Sequence, residues 1–212
     1  MRLLRNFIIG LVLVLIGIAA LLLVPSPQPP ASKPWEVTLM PDGNSKVLGI
    51  HLGQTRYGEA QTALGIFGKT AIFTNPDNRA SVEAYFDSIN LGGLSAKLVL
   101  NLAVPEQQLA SMLSRATAGK LQPSGARQHD LHEQDRIALL QAPVKTITYI
   151  PSVRLDKEML TARFGEPAEI KTAAEMPAAE TWFYPDIGLQ VELNPEQKTI
   201  LIYRALNTVP DV

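Results

Sequence analysis

LSAKLVLNL, residues 94–102, alternates without a break: Leu94, Ala96, Leu98, Leu100 and Leu102 share one parity, and Ser95, Lys97, Val99 and Asn101 the other. Successive side chains of a strand point to opposite faces, so this period of two predicts a strand with one buried and one outward face. Upstream, KTAIFT (69–74) and VEAYFDS (82–88) read as two further strands, and Gly92-Gly93 as the hairpin turn before residue 94. Thr55 can cap a short helix running to Leu64, with Gly65 as its left-handed stop. Further out, WEVTLM (35–40), the turn residues Pro41-Asp42-Gly43-Asn44 and KVLGIH (46–51) read as two strands around a tight turn.

Downstream of the strand, residues 105–117 predict a helix with Leu109, Met112, Leu113 and Ala116 on one face. AGKLQPSGAR (118–127) reads as a loop, and a short helix over 133–141 stops before Pro143. The order then recurs. VKTITYI (144–150) is a strand, Asp156 caps a helix ending at Phe164-Gly165, and Pro167 blocks its continuation. AEIKT (168–172), TWFY (181–184), GLQVEL (188–193) and KTILIYR (198–204) follow as strands, the last two joined by a turn at Asn194-Pro195-Glu196-Gln197. Leu64-Gly65 and Phe164-Gly165 stand 100 residues apart, as do Ile50 and Ile150. The expected fold class is therefore α+β, as two tandem units of short helix plus antiparallel β-meander. They cover residues 35–117 and 143–208, with 118–142 as the connecting segment.

The N-terminus reads differently. FIIGLVLVLIGIAALLLV, residues 7–24, is uninterrupted, and fourteen of its eighteen residues are Leu, Ile, Val or Phe. An 18-residue helix is about 27 Å long, close to the roughly 30 Å hydrocarbon core of a bilayer. This predicts a transmembrane anchor and a lipid bilayer as partner through residues 7–24. Arg2 and Arg5 precede the run and no charge follows until Lys33, which places residues 1–6 in the cytoplasm. The expected location is then the bacterial inner membrane, single-pass, with the C-terminal bulk periplasmic. Gly17-Ile18-Ala19 has the small-x-small pattern of a signal cleavage site, but residues 21–24 continue the apolar run past it, so the anchor is expected to stay on. Five prolines in PSPQPPASKP (25–34) predict an extended spacer.

Composition excludes several classes. The chain has no cysteine, so neither a disulfide framework nor a lipoprotein anchor is available to it. Outside Arg2, Arg5 and Lys33 it carries 16 basic and 20 acidic residues, a net of −4. That surface has no excess positive field for nucleic acid.

Leu52-Gly53-Gln54-Thr55 before a short helix, helices ending in Leu64-Gly65 or Phe164-Gly165-Glu166-Pro167, and the aromatic strands Tyr85-Phe86 and Trp182-Phe183-Tyr184 resemble the small SmpA/OmlA (BamE-like) envelope domain, in two copies of about 60 residues. The resemblance implies helices on one face of an antiparallel sheet and a role in protein–protein contact at the cell envelope. Members of that family are usually lipoproteins, which this cysteine-free chain departs from, so a role in outer-membrane assembly does not carry over.

Candidate chemistry is sparse. His129 and His132, in His129-Asp130-Leu131-His132-Glu133, are three apart and could share a helix face with carboxylates nearby, as zinc requires. Their order does not match the zinc-peptidase signatures, and a polar helix start accounts for the same residues. No G-x-S-x-G elbow is present, His51 falls on a strand, and Gly49-x-x-x-Gly53 lacks the P-loop lysine. Asp156/Glu158 and Glu175/Glu180 read as cap and loop charge. No cofactor is expected. Of Trp182, Phe183 and Tyr184, two should face the core and one outward, which makes Trp182 or Tyr184 a candidate partner anchor. The expected function is non-catalytic binding of a protein partner in the envelope. The alternatives are a periplasmic hydrolase around His129/His132, and a small-ligand or lipid carrier on the concave face of a meander.

Overall fold

The strand expected at residues 94–102 forms as β6 (Leu94–Leu102) and lies in the interior of a ten-stranded sheet. The computed structural model describes residues 2–23, 32–91, 93–173 and 176–207. Gly92, Glu175 and the spacer through residue 31 therefore lie outside the described residues.

Residues 31–212 make one compact unit and residues 1–30 another. In the larger unit, β1 (Thr38–Leu39), β2 (Ser45–Val47) and β3 (Ile50–His51) form a small antiparallel sheet. Leu48 (φ 54°) and Gly49 (φ 78°) turn tightly between β2 and β3, so KVLGIH is two strands and not one. A two-residue hairpin of this hand needs positive φ at both central positions. Helix α2 (Tyr57–Leu64) follows, with the Glu59 carboxylate accepting from the Arg56 N–H at 2.9 Å. Thr55 does not cap it; its hydroxyl instead accepts from the His51 N–H.

Next come β4 (Lys69–Thr74) and β5 (Ala80–Leu91), then β6 and helix α3 (Glu106–Arg115). Beyond α3 lie β7 (Lys120–Leu121), β8 (Arg127–Asp130), helix α4 (Glu133–Leu139) and β9 (Val144–Pro151). Helix α5 (Lys157–Phe164) is capped by Asp156 Oδ1, which accepts from the Met159 N–H at 2.8 Å. The chain ends in β10 (Glu169–Ala173), β11 (Met176–Tyr184), β12 (Leu189–Leu193) and β13 (Ile200–Arg204). Gly65 is left-handed (φ 67°, ψ 20°); Gly165 also has positive φ (78°) but an extended ψ (−168°).

The large sheet has the order β10-β11-β12-β13-β9-β6-β5-β4-β8-β7, with antiparallel neighbours throughout. This overturns the tandem-unit fold class. Each helix α2 and α5 is followed by a meander, but of three strands in one case and four in the other. The two meanders are also not separate: β6 and β13 both pair with β9, in registers such as Leu98↔Tyr149 and Leu201↔Tyr149. A meander ending at β6 would expose a row of unpaired N–H and C=O groups, and pairing with β9 satisfies them. The segment 118–142 is likewise no mere connector, because β8 pairs with β4.

One face of the sheet is the core. Phe86, Leu98, Tyr149, Leu201, Val191 and Trp182 occupy one cross-strand row, and Ala84, Leu100, Ile147, Tyr203, Leu189 and Tyr184 the next. All twelve are buried, and they pack with Tyr57 of α2, Met112 of α3, Leu139 of α4 and Leu160 of α5. Tyr203 donates its buried hydroxyl to the Pro34 carbonyl at 2.6 Å, which ties the last strand to the start of the unit.

Helix α1 (Arg2–Leu23) forms over the N-terminal apolar run. Among the described residues, however, no helix is long and apolar enough to cross a membrane. The expected transmembrane anchor and single-pass inner-membrane location are corrected accordingly.

Candidate functional site

The strands that bury one face present a second row of side chains on the other. Glu83, Asn101, Thr146 and Arg204 are direct cross-strand partners on β5, β6, β9 and β13. Beside them run Tyr85, Val99, Thr148 and Ile202, continued by Gln190 and Phe183. None of these belongs to the buried core; all are half-buried except Arg204, which is exposed. Glu83, Val99, Asn101, Thr146, Thr148, Ile202 and Arg204 line a groove of about 360 Å³ whose every wall is a strand.

The groove is charged at its ends and apolar along one side. Burial pushes the Glu83 carboxyl above the usual carboxylate range, and the Ser81 hydroxyl donating at 3.2 Å offsets this only in part. At the other end Arg204 Nη1 donates to Gln190 Oε1 at 2.6 Å, and Gln190 Nε2 in turn donates to Glu192. Glu83 and Arg204 are three strand spacings apart, about 14 Å, too far to pair with each other. They remain as opposite charges presented to whatever enters.

The histidines do not converge. His129 sits on β8 with Nδ1 3.1 Å from the Thr117 carbonyl and Nε2 3.1 Å from the Thr74 hydroxyl. A carbonyl only accepts, so Nδ1 carries the proton and the Nε2 lone pair faces the Thr74 hydroxyl, which can donate to it. His132 caps α4, its Nδ1 accepting from the Gln134 N–H at 3.4 Å. No group of three or more His, Asp or Glu side chains able to hold an ion occurs among the described residues. Asp135, just after this histidine cluster, is buried and receives both Arg115 Nε (3.2 Å) and Nη2 (2.6 Å), so it is committed to an ion pair.

His51 Nε2 lies 3.0 Å from both Asp42 oxygens, and among the described residues its ring makes no hydrogen bond to a hydroxyl. The nearby Ser45 hydroxyl is buried and donates to the Ile187 carbonyl. Burial would raise the Asp42 carboxyl, but hydrogen bonds from the Asn44 backbone and His51 outweigh it and hold it below its ordinary range. Asn44 Oδ1 meanwhile accepts from the Leu206 and Asn207 N–H groups, so the cluster pins the chain end to the small sheet.

The consecutive aromatics do split two in and one out, but not as the candidate anchors suggest. Trp182 and Tyr184 are both buried; Trp182 Nε1 donates to Glu180 and the Tyr184 hydroxyl to the Gly165 carbonyl. The outward residue is Phe183, with Lys171 Nζ 4.8 Å above its ring. Glu83 and Arg204 carried no sequence signal of their own. Their parity on the strands was readable, but their alignment depends on pairings between β5, β6, β9 and β13.

A second concavity, of about 180 Å³, lies where α5 meets the ends of β6 and β9. It is lined mainly by Trp35, Leu94, Pro151, Val153, Met159 and Phe164, and Arg163 stacks on Trp35 at 4.5 Å. Compared with known proteins, the chain matches no family model, no curated protein and no solved structure. Nothing in these comparisons bears on the SmpA/OmlA resemblance.

Proposed function

We propose that this chain is a non-catalytic protein-binding module whose partner lies on the open face of the large sheet, across β5, β6, β9 and β13. The observation that carries this reading is the row Tyr85, Val99, Thr148 and Ile202. These side chains are aromatic, aliphatic or methyl-bearing, they are half-buried, and they stand apart from the core cluster beside Glu83 and Arg204, neither of which has an ion-pair partner among the described residues. Such a surface gains little from water and much from a complementary cover. The protein–protein role implied by the SmpA/OmlA resemblance points the same way.

Photo-crosslinking tests it. A photoreactive residue in place of Val99 or Thr148 of the full chain should yield discrete protein adducts in cells, while one at the exposed α5 position Glu158 should not. Equal yields at all three positions, or none at Val99 and Thr148, would remove the open face as the binding surface.

A small-ligand reading is favoured by one feature only, the apolar concavity beside α5. Its volume is close to the roughly 150 Å³ of a dry cavity that admits benzene. Saturable binding of benzene to the full chain, abolished in Met159→Arg, would support that reading; uptake linear in benzene would dismiss it.

A further inference from the structure

The pattern on the open face points to its occupant, and we infer that it is a second copy of this chain. This inference rests on the protein-binding reading above and narrows it. The row Glu83, Asn101, Thr146, Arg204 runs from negative through two neutral polar residues to positive, one residue on each of four adjacent strands. A two-fold axis parallel to the strands, passing between β6 and β9 and lying in the plane between two stacked sheets, exchanges β5 with β13 and β6 with β9. It sets Glu83 of one copy against Arg204 of the other, twice by symmetry, and Asn101 against Thr146. In the next row Val99 meets Thr148 and Tyr85 meets Ile202. An isologous interface requires this kind of self-complementarity.

The charges also select the operator. A two-fold axis across the strands would set Glu83 against Glu83 and Arg204 against Arg204, with like charges brought together in a desolvated layer. Only the axis along the strands pairs opposite charges. Facing sheets stack about 10 Å apart with strands within about 30° of each other, a gap that Glu and Arg side chains span together. The raised carboxyl of Glu83 fits this arrangement, because a half-buried acid is costly alone and is relieved by a cation from across the interface. Sheet twist confines close contact to the four central strands, roughly 20 by 20 Å or on the order of 400 Å² a side. The total, about 800 Å², lies below the roughly 1,200 Å² of standard interfaces and in the range of weak, transient association. A reversible, moderately weak dimer is therefore expected.

Charge exchange tests the operator and not merely the oligomeric state. Sedimentation velocity of the full chain, in a nonionic detergent that shields α1, is measured over roughly 1 μM to 1 mM, the span from moderate to weak affinity. The wild type should dimerise. Glu83→Arg has two positive ends and Arg204→Glu two negative ends, so each alone should associate at least tenfold more weakly. An equimolar mixture of the two should recover association, since every facing pair is then opposite in sign, and the double variant should recover it too. Because recovery needs both proteins folded, it excludes misfolding as the cause of the single-variant losses. A wild type monomeric over the whole range, single variants that associate like the wild type, or losses that mixing does not reverse would each overturn the inference. A monomer that still crosslinks another protein from Val99 ends the dimer and leaves the binding face standing. A monomer with no adducts ends both.

Discussion

Leu98 and Val99 are neighbours on β6, yet one is fully buried in the core and the other stands half-exposed on the open face. The same division runs across the sheet, between the Phe86-to-Trp182 row and the Tyr85-to-Phe183 row. It separates two kinds of constraint. Core positions are held by packing that the chain supplies to itself, from α2, α3, α4 and α5. Open-face positions carry apolar and charged side chains that stay half-buried or exposed, and their charges meet only neutral hydrogen-bond partners among the described residues.

The largest expected effect contrasts Trp182 with Phe183. Trp182→Ala empties a buried site and takes the indole N–H from Glu180, which keeps Lys157, and should cost about 3–5 kcal/mol in urea unfolding. Phe183→Ala, one residue on but facing outward, should cost about 1 kcal/mol, in proportion to the smaller area it shields. Comparable losses would break the two-face description at β11. Next, Leu98→Ala should cost about 2–5 kcal/mol by the same denaturation assay, with the cavity left in the middle of the sheet. Asp156→Ala should cost about 1 kcal/mol, because it removes the α5 cap without touching either face.

The smallest effect is a difference in pH response. The Lys157 ammonium, and then the Trp182 indole N–H, hold the Glu180 carboxyl below its ordinary value of 4.5. A carboxyl depressed in the folded state contributes stability above that value and loses it as pH falls through the folded pKa. Glu83 is shifted the other way by burial, so its contribution is present below 4.5 and is lost as pH rises through its folded pKa. Glu180→Gln should therefore flatten the acid limb of an unfolding-midpoint profile, and Glu83→Gln should raise the midpoint at neutral pH relative to acid. A dimer that pairs Glu83 with Arg204 would cancel the second effect at high protein concentration, which makes the profile sensitive to association.

Much of the strand pattern was legible because alternation is local. β6 has the bounds that its period-two pattern predicts, α3 and α5 lie where their apolar spacing and cap residues place them, and Gly65 stops α2. What escaped was long-range. The pairing of β9 with both β6 and β13 joins segments 40 or more residues apart, and no residue in them advertises it. Reading 35–117 and 143–208 as separate units followed from that gap, as did treating 118–142 as a connector. His129 and His132 are close in sequence, but one is held on a strand between Thr117 and Thr74 and the other caps a helix. The apolar run at 7–24 was read by composition and length, and the described helix does not support a span. Glu83 and Arg204 lie 121 residues apart in the chain, and only the sheet order makes them two ends of one row.

The most direct test of the account is the chemical unfolding of the full chain carrying Val99→Arg. If the open face is left for a partner, the guanidinium extends into solvent and stability stays within about 1 kcal/mol of the parent, the range of strand surface positions. A loss of several kcal/mol, comparable with Leu98→Ala, would show that the chain itself covers this face, and would contradict the assignment of a binding surface there.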